Sequence, residues 1–342
     1  MTASATSGRA QGALLLCLAL ALAGAGAPAL GQNGPTSLLP GAGSAPPTPV
    51  PPVMPPSTSP STPPSMPGGP SGDRIQVQDL GAPDPSAVGL LDSGHGGFPA
   101  ELWAGSSIAT IRKAVTLLPA PQPWRSLLQL ERRLLLSIAQ VPPAPAGEEP
   151  LVKLRADRLW ALGDLDDLTA LLKVIPSPAT TPALRRLQAE TALLLGDNGT
   201  ACDQAAALRT TAGDDPFAAK LQVYCLFAGG KGREAGLGVD LLRDQKVNDP
   251  PFFAAADTLA GIGAGHLDSR TAPSPLVLAM ARLAKLPAAE TTGPADPPQL
   301  RAMAGWPGDA QLAQAERAEA IGALKTEALR EIYQQAVFSP AE

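Results

Sequence analysis

Residues 151–163 read LVKLRADRLWALG, residues 184–196 read LRRLQAETALLLG, and residues 217–229 read FAAKLQVYCLFAG. Each stretch is rich in Ala and Leu, and the closing glycines, Gly163, Gly196 and Gly229, lie 33 residues apart. This period is typical of stacked helical hairpins, because one hairpin alone cannot bury its apolar face. Glycine suits a helix end because it adopts the left-handed conformation cheaply. The pattern predicts an all-α fold of helical-hairpin repeats stacked as an α-solenoid.

Helix caps and prolines extend this prediction in both directions along the chain. The clearest repeats span 150–249, within an α-helical repeat domain that we predict over 106–342. A closing stretch over 309–337 is predicted as one long helix or two, with Gly322 weakening its middle, and a proline-rich break is predicted at 294–298. The predicted helices are 106–118, 124–140, 150–162, 165–175, 182–195, 199–210, 216–228, 232–245, 252–262 and 275–286.

The turns of these hairpins carry a family resemblance. Leu162-Gly163-Asp164, Leu195-Gly196-Asp197 and Ala228-Gly229-Gly230 are each followed by a second helix, with Ala201 and Ala235 early in two of them. These residues resemble tetratricopeptide repeats, over about 100 residues of the chain. The resemblance implies a superhelix whose first helices line a groove that holds peptides.

Four charged residues of the first helices occupy matching positions. Lys153 and Arg186 lie ten residues before their glycines, and Asp157 and Glu190 lie six before. If the resemblance holds, these residues form a partner-binding groove for an extended peptide or protein segment. The alternative is that they are exposed i,i+4 pairs, each contributing about 0.2–0.5 kcal/mol to its helix. The third unit has Ala219 and Val223 at the matching positions, which predicts a break in the pattern.

The first hundred residues predict export and a tether rather than a folded core. Residues 1–31 have the layout of a secretory signal peptide, with Arg9 before an apolar run from Ala13 to Ala23; an uncleaved N-terminal anchor is the alternative. Residues 32–74 form a Pro/Ser/Thr-rich segment that we predict to be a disordered linker. Residues 75–105 are predicted to form an irregular arm. The predicted location is the periplasm or the exterior of a Gram-negative bacterium.

Two cysteines remain after the signal peptide, Cys202 and Cys225. They lie at equal distances on either side of the turn that joins two antiparallel helices. This spacing places the two cysteines side by side, at the same position along the helix axes. In an oxidising compartment this spacing predicts a disulfide between neighbouring repeats, and two buried free thiols are the alternative.

Catalytic and cofactor-binding motifs are missing from the sequence. It contains no G-x-S-x-G, no H-E-x-x-H, no Walker loop and no Cys/His ligand cluster, so we predict neither a cofactor nor a metal. His95, on a glycine-rich loop, is predicted to be an exposed side chain. A net charge of −5 without a basic run argues against nucleic-acid binding.

These observations favour a non-enzymatic protein that binds or scaffolds an unidentified envelope protein or peptide. Contact with the membrane is expected only through the signal peptide, transiently or as an anchor. One alternative is an accessory or truncated form of a cell-wall-active enzyme. In that case its helical superhelix would resemble the one that lytic transglycosylases carry. The other is a structural spacer without a specific partner.

Overall fold

The computed structural model of the chain describes residues 85–145, 147–211, 215–263, 273–286, 296–308 and 310–336. The predicted signal peptide, the linker and the start of the arm lie outside these residues. Within them the fold is all-α, with thirteen α-helices and no strand. The helices are α1 (Ile108–Thr116), α2 (Arg125–Leu136), α3 (Leu151–Leu162), α4 (Leu165–Val174), α5 (Pro182–Leu195), α6 (Asn198–Thr211), α7 (Pro216–Ala228), α8 (Gly232–Asp244), α9 (Pro250–Leu259), α10 (Pro275–Leu283), α11 (Pro297–Ala304), α12 (Gln311–Ala320) and α13 (Thr326–Gln335).

Three hairpin turns share one hydrogen-bond pattern. Gly163, Gly196 and Gly230 have left-handed backbones with φ of 74°, 78° and 72°. The residue after each glycine donates its N–H to the carbonyl five residues back, at 3.0, 2.9 and 2.8 Å. Gly229 directly follows the end of α7, as predicted, but its φ is −83°, so the left-handed position falls one residue later, on Gly230. The left-handed glycines of the three turns are therefore 33 and 34 residues apart.

Prolines account for a helix that we did not predict. The segment interpreted as a proline-rich break contains the start of α11, with Pro297 and Pro298 in its first turn. Proline is tolerated there because its missing N–H would have no partner within the helix. Gly322, with a φ of 81°, separates α12 from α13, so the closing stretch forms two helices.

Consecutive helices pack against one another from α3 to α9. Leucines and alanines fill their contacts, and Leu159, Leu193 and Leu221 of the three first helices are fully buried. Small and branched side chains allow such close packing. These neighbour contacts bury the apolar stripe of each helix.

The last helices return to the first helices of the repeats. Helix α10 contacts α5, α7 and α9, and α11 contacts α3 and α5. Residues 276–281 of α10 are all buried, so this helix is covered on all sides. Arg282 follows them and donates hydrogen bonds to the Leu194 carbonyl at 3.2 Å and the Ala302 carbonyl at 3.1 Å. Part of the first-helix surface is therefore occupied by the chain itself.

A buried arginine joins the N-terminal arm to the helices. Arg155 of α3 donates to the carbonyls of Leu135, Ser137 and Val88 at 2.7, 2.9 and 2.6 Å. Burial lowers the pKa of Arg155 to about 10. Four carbonyl contacts, the fourth to Ser86, satisfy the guanidinium and anchor the arm to α2 and α3.

Candidate functional site

Three first helices present a basic residue at the same position. Lys153, Arg186 and Lys220 each lie ten residues before the left-handed glycine of their turn. The predicted break in the third unit was therefore wrong for the basic position, because counting from Gly230 replaces Ala219 by Lys220. The acidic position is not kept in the third helix. Where α3 has Asp157 and α5 has Glu190, α7 has the buried Tyr224. We call Lys153, Arg186 and Lys220, with their acidic partners, the charged ladder.

Each basic residue of the ladder has an acidic partner. Lys153 Nζ lies 2.6 Å from both carboxylate oxygens of Asp157. Arg186 Nε lies 3.0 Å from Glu190 Oε1, and its Nη1 lies 3.8 Å from Asp215 Oδ2. The four residues predicted from the sequence thus form two intrahelical ion pairs.

The second and third members of the ladder also contact the N-terminus of the following first helix. Asp215 and Asp249 cap α7 and α9. Lys220 Nζ lies 2.6 Å from Asp249 Oδ2, just as Arg186 pairs with Asp215. An aromatic ring lies nearby in both cases, Phe217 at 4.4 Å from the Arg186 guanidinium carbon and Phe252 at 5.9 Å from Lys220 Nζ. The ladder therefore repeats a base, a capping acid and a ring.

The charges of neighbouring ladder members act on one another. Burial raises the pKa of Glu190, and the charges of Arg186 and Lys153 act in the opposite direction. Lys153 belongs to α3 and Glu190 to α5, so their interaction places both predicted pairs in one electrostatic environment. The side chains of Lys153, Arg186 and Lys220 are 19%, 48% and 18% exposed. Arg186 is therefore the most accessible of the three cations, and Lys153 and Lys220 are exposed only in part.

A cleft of about 660 Å³ lies elsewhere, between α2, the loop at 90–96 and the turn that joins α12 to α13. His95 is exposed at its edge, as predicted, with Nδ1 2.7 Å from Asp92 Oδ1. The His95 hydrogen bond helps to lower the pKa of Asp92. Arg125 donates to both carboxylate oxygens of Glu319, at 2.8 and 2.7 Å. The charged groups around this cleft are thus largely paired with one another.

A buried ion pair supports one wall of the cleft. Arg132 Nε lies 2.6 Å from Asp164 Oδ2, and Arg132 also donates to the Gly322 carbonyl at 2.6 Å. Burial raises the pKa of Asp164 to about 6, against the opposing effect of the Arg132 charge. Because these contacts connect α2, the α3–α4 turn and the α12–α13 turn, we assign the pair a structural role.

Cys202 and Cys225 lie on α6 and α7, which pack against each other. Their sulfur atoms are 2.09 Å apart and their Cα atoms 5.6 Å apart. The bond would join α6 to α7. Its presence in the exported protein stays a prediction.

Comparison with known proteins adds no relative from which a function could be transferred. No protein-family model, curated protein or solved structure matches the chain. Within the part of the chain that the structure describes, no group of three or more His, Cys, Asp or Glu side chains could hold a metal ion. No described helix is long and apolar enough to cross a membrane.

Sequence reasoning missed the third member of the ladder and its link to the next helix. Asp215-Pro216 and Asp249-Pro250 were visible as helix starts, and they lie 34 residues apart. Counting from these caps, instead of from Gly229, would have aligned Lys220 with Arg186. The cleft had no comparable signal, because its walls come from segments about 190 residues apart in sequence.

Proposed function

We propose that this protein is an exported, non-enzymatic binding or scaffolding protein of the bacterial cell envelope. In this proposal the helical hairpins form a tetratricopeptide-like solenoid, the Pro-rich segment is a flexible tether, and the charged ladder holds an extended segment of another envelope protein. The observation that carries the proposal is the recurrence of Lys153, Arg186 and Lys220 at one position of three consecutive first helices.

Helix stability alone is a weak reason for this recurrence. Exposed ion pairs contribute about 0 to 1 kcal/mol, and many contribute nothing measurable. A peptide that carries both signs of charge, in contrast, would find a cation and an anion at every repeat. Complementary charges of this kind favour specificity and fast association over affinity.

The shape of the C-terminal region limits where such a segment would bind. Helices α10 and α11 cover first-helix surface near the glycine turns, with Arg282 bonded to the Leu194 carbonyl of α5. The ladder lies ten residues before the glycines, nearer the start of each first helix. The proposal therefore places the partner beside α10 and not under it.

A crosslinking pull-down from the envelope fraction of the native bacterium tests the proposal. The variant Lys153→Gln/Arg186→Gln/Lys220→Gln removes the ladder cations, and the matched control Lys173→Gln/Arg209→Gln/Arg233→Gln removes three exposed cations from second helices. We expect a reproducible partner with the unaltered chain and the control. Its recovery should fall by about tenfold or more in the ladder variant, because three charge contacts are lost.

Three results would contradict the proposal. Equal recovery with the ladder variant and the control would show that the ladder does not hold the partner. Recovery of no reproducible partner would favour a structural spacer, and release of muropeptides by the purified chain would favour a cell-wall-active enzyme.

A further inference from the structure

Helices α2 and α3 pack against each other, and each of them buries a polar group that has no hydrogen-bond partner. Glu131 of α2 is 4% exposed, and both of its carboxylate oxygens lack a partner among the described residues. The Nε of Arg158 on α3 is buried and unpartnered in the same way. Buried polar groups are almost always hydrogen-bonded, so an acid and a base that are left without a bond require an explanation.

Arg158 uses another of its nitrogens for a different partner. Its Nη2 donates to the carbonyl of Leu118, in the loop that connects α1 to α2. The charge of Arg158 also acts on Glu131. A guanidinium has five N–H donors in a rigid fork, so turning it toward one partner takes it away from another. Arg158 thus has two alternative partners, the loop carbonyl and the carboxylate.

Arg158 holds a loop that has few other hydrogen bonds. Residues 117–124 read LLPAPQPW, and the three prolines have no N–H to donate. Within the loop, the Trp124 N–H donates to Gln122 Oε1 at 3.3 Å. Of the described side chains outside α1, α2 and this loop, Arg158 is the one that is hydrogen-bonded to it. Release of Arg158 would therefore free the loop from α3.

The other charged side chains of α1, α2, α3 and the neighbouring turns are bonded elsewhere or exposed. They are Arg112 with Glu148, Arg125 with Glu319, Arg132 with Asp164, Arg133 with the Gly97 carbonyl, Lys153 with Asp157, Arg155 with four carbonyls, Lys325 with Asp167, His95 with Asp92, and the exposed Lys113. The groups that act on Glu131 are Arg158 and the side chain of Gln122.

The surroundings of Glu131 favour the protonated acid. Burial raises the pKa of Glu131, against the opposing effects of the Arg158 charge and the Gln122 side chain. A protonated carboxyl needs no cation beside it, which suits a site where the arginine is bonded to a carbonyl. An ionised carboxylate in the same place would be a buried charge without a partner, and such a charge is costly.

We propose that Glu131 and Arg158 form a proton-controlled switch of the α1–α2 loop. While Glu131 is protonated, Arg158 holds the loop through the Leu118 carbonyl. When Glu131 loses its proton to solvent, Arg158 turns toward the carboxylate, the carbonyl loses its bond and the loop becomes mobile. The ends of this loop, Leu117 and Trp124, are 72% and 67% exposed, so the switch changes an exposed apolar part of the surface.

The direction of the switch follows from the raised pKa. The folded chain binds the Glu131 proton more tightly than the unfolded chain does, because folding raises the pKa of this group. Its stabilising effect is therefore complete below the unfolded pKa, about 4.3 for glutamate, and is lost as the pH rises through the folded pKa. We expect the loop to be held in acid and released as the pH rises.

Time-resolved fluorescence anisotropy of Trp124 in the full chain tests the switch. The signal is the difference between the unaltered chain and Trp124→Phe, which removes the contribution of the other tryptophans. We expect the nanosecond motion of Trp124 to increase between about pH 4 and pH 8, because Arg158 leaves the loop.

Glu131→Gln has nearly the shape of the protonated acid and cannot ionise. It should abolish the increase and keep the loop held over the whole pH range. Urea denaturation should show a gain in stability over the unaltered chain at the high end of this range and none at the low end. The control Glu101→Gln removes an exposed carboxylate of the arm and should leave the pH dependence unchanged.

Arg158→Gln removes the group that holds the loop. It should give the large motion of Trp124 in acid as well, and circular dichroism checks that each variant is folded. A motion of Trp124 that does not change with pH in the unaltered chain would overturn the proposal. So would a change that persists in Glu131→Gln, since another group would then titrate, or a loop that stays held in acid in the folded Arg158→Gln variant.

Discussion

At the scale of single residues, the left-handed glycines mark equivalent positions in three hairpin turns. Gly163, Gly196 and Gly230 end α3, α5 and α7 with the same pair of backbone hydrogen bonds. Gly229 and Gly230 are adjacent, and the sequence offers both as the end of α7. Only the backbone conformation shows that the second of them is equivalent to the other two.

The same glycines differ in their surroundings, which leads to a prediction. A Cβ at Gly230 would meet open space, whereas a Cβ at Gly163 would lie 2.7 Å from the Pro297 carbonyl of α11. Gly230→Ala should therefore lower the free energy of unfolding by about 1 kcal/mol, the strain of a left-handed alanine. Gly163→Ala should lower it by about 3 kcal/mol, because the backbone of α11 must also move. Urea denaturation of both variants measures the difference.

Gly229→Ala provides the control for this prediction. Its φ of −83° is open to alanine, so its effect should be smaller than that of Gly230→Ala. The register assigned here would be contradicted if Gly229→Ala were the more damaging of the two.

At the scale of elements, local signals predicted most helix bounds. The predicted 182–195 and 216–228 match α5 and α7, and the predicted 106–118 overlaps α1, which Ser107 caps. Caps, glycines and prolines act within one turn of a helix, so the sequence contains them directly. Helix α11 was missed because its two opening prolines were interpreted as a break, although proline also begins helices.

The pair Cys202 and Cys225 makes a prediction at this scale. A disulfide that closes a loop of 23 residues stabilises a protein by about 3 kcal/mol in the chain-entropy model. Reduction, or Cys202→Ser/Cys225→Ser, should lower the free energy of unfolding of the exported protein by that amount. Mass spectrometry of non-reduced peptides checks the bond, and urea denaturation checks its energy.

Cys17→Ala is the matched control, since Cys17 lies in the predicted signal peptide. It should change neither the non-reduced peptide pattern nor the stability. Full alkylation of Cys202 and Cys225 in the exported protein without prior reduction would rule out the bond.

At the scale of the whole molecule, the contacts of α10 and α11 connect helical hairpins that are not neighbours in sequence. A linear array of repeats has contacts only between neighbours, so its parts can unfold separately. Here α10 contacts α5, α7 and α9, and α11 contacts α3 and α5. These bridges should make the described helices unfold together.

Met280→Ala tests this cooperativity. Met280 is fully buried in α10, so its truncation should lower the free energy of unfolding by about 2 to 5 kcal/mol. Tryptophan fluorescence and circular dichroism should follow one coincident urea transition, which shifts as a whole in the variant. Ile262→Ala, at a side chain that is 76% exposed, should change the midpoint little.

Separate transitions by the two probes would contradict this view. Such a result would mean that α10 and α11 pack only weakly against the first helices and unfold apart from them.

The sequence by itself determined the helical class, the approximate spacing of the hairpin turns, several helix caps and the two ion pairs Lys153–Asp157 and Arg186–Glu190. All of these depend on residues within about one repeat of each other, where spacing along the chain sets spacing in the fold. The tertiary structure alone decided that Gly230 sets the third register, that α10 and α11 return to the first helices, and that Arg125 meets Glu319. Contacts between distant segments depend on how many helices pack together, and a short stretch of sequence does not contain that information.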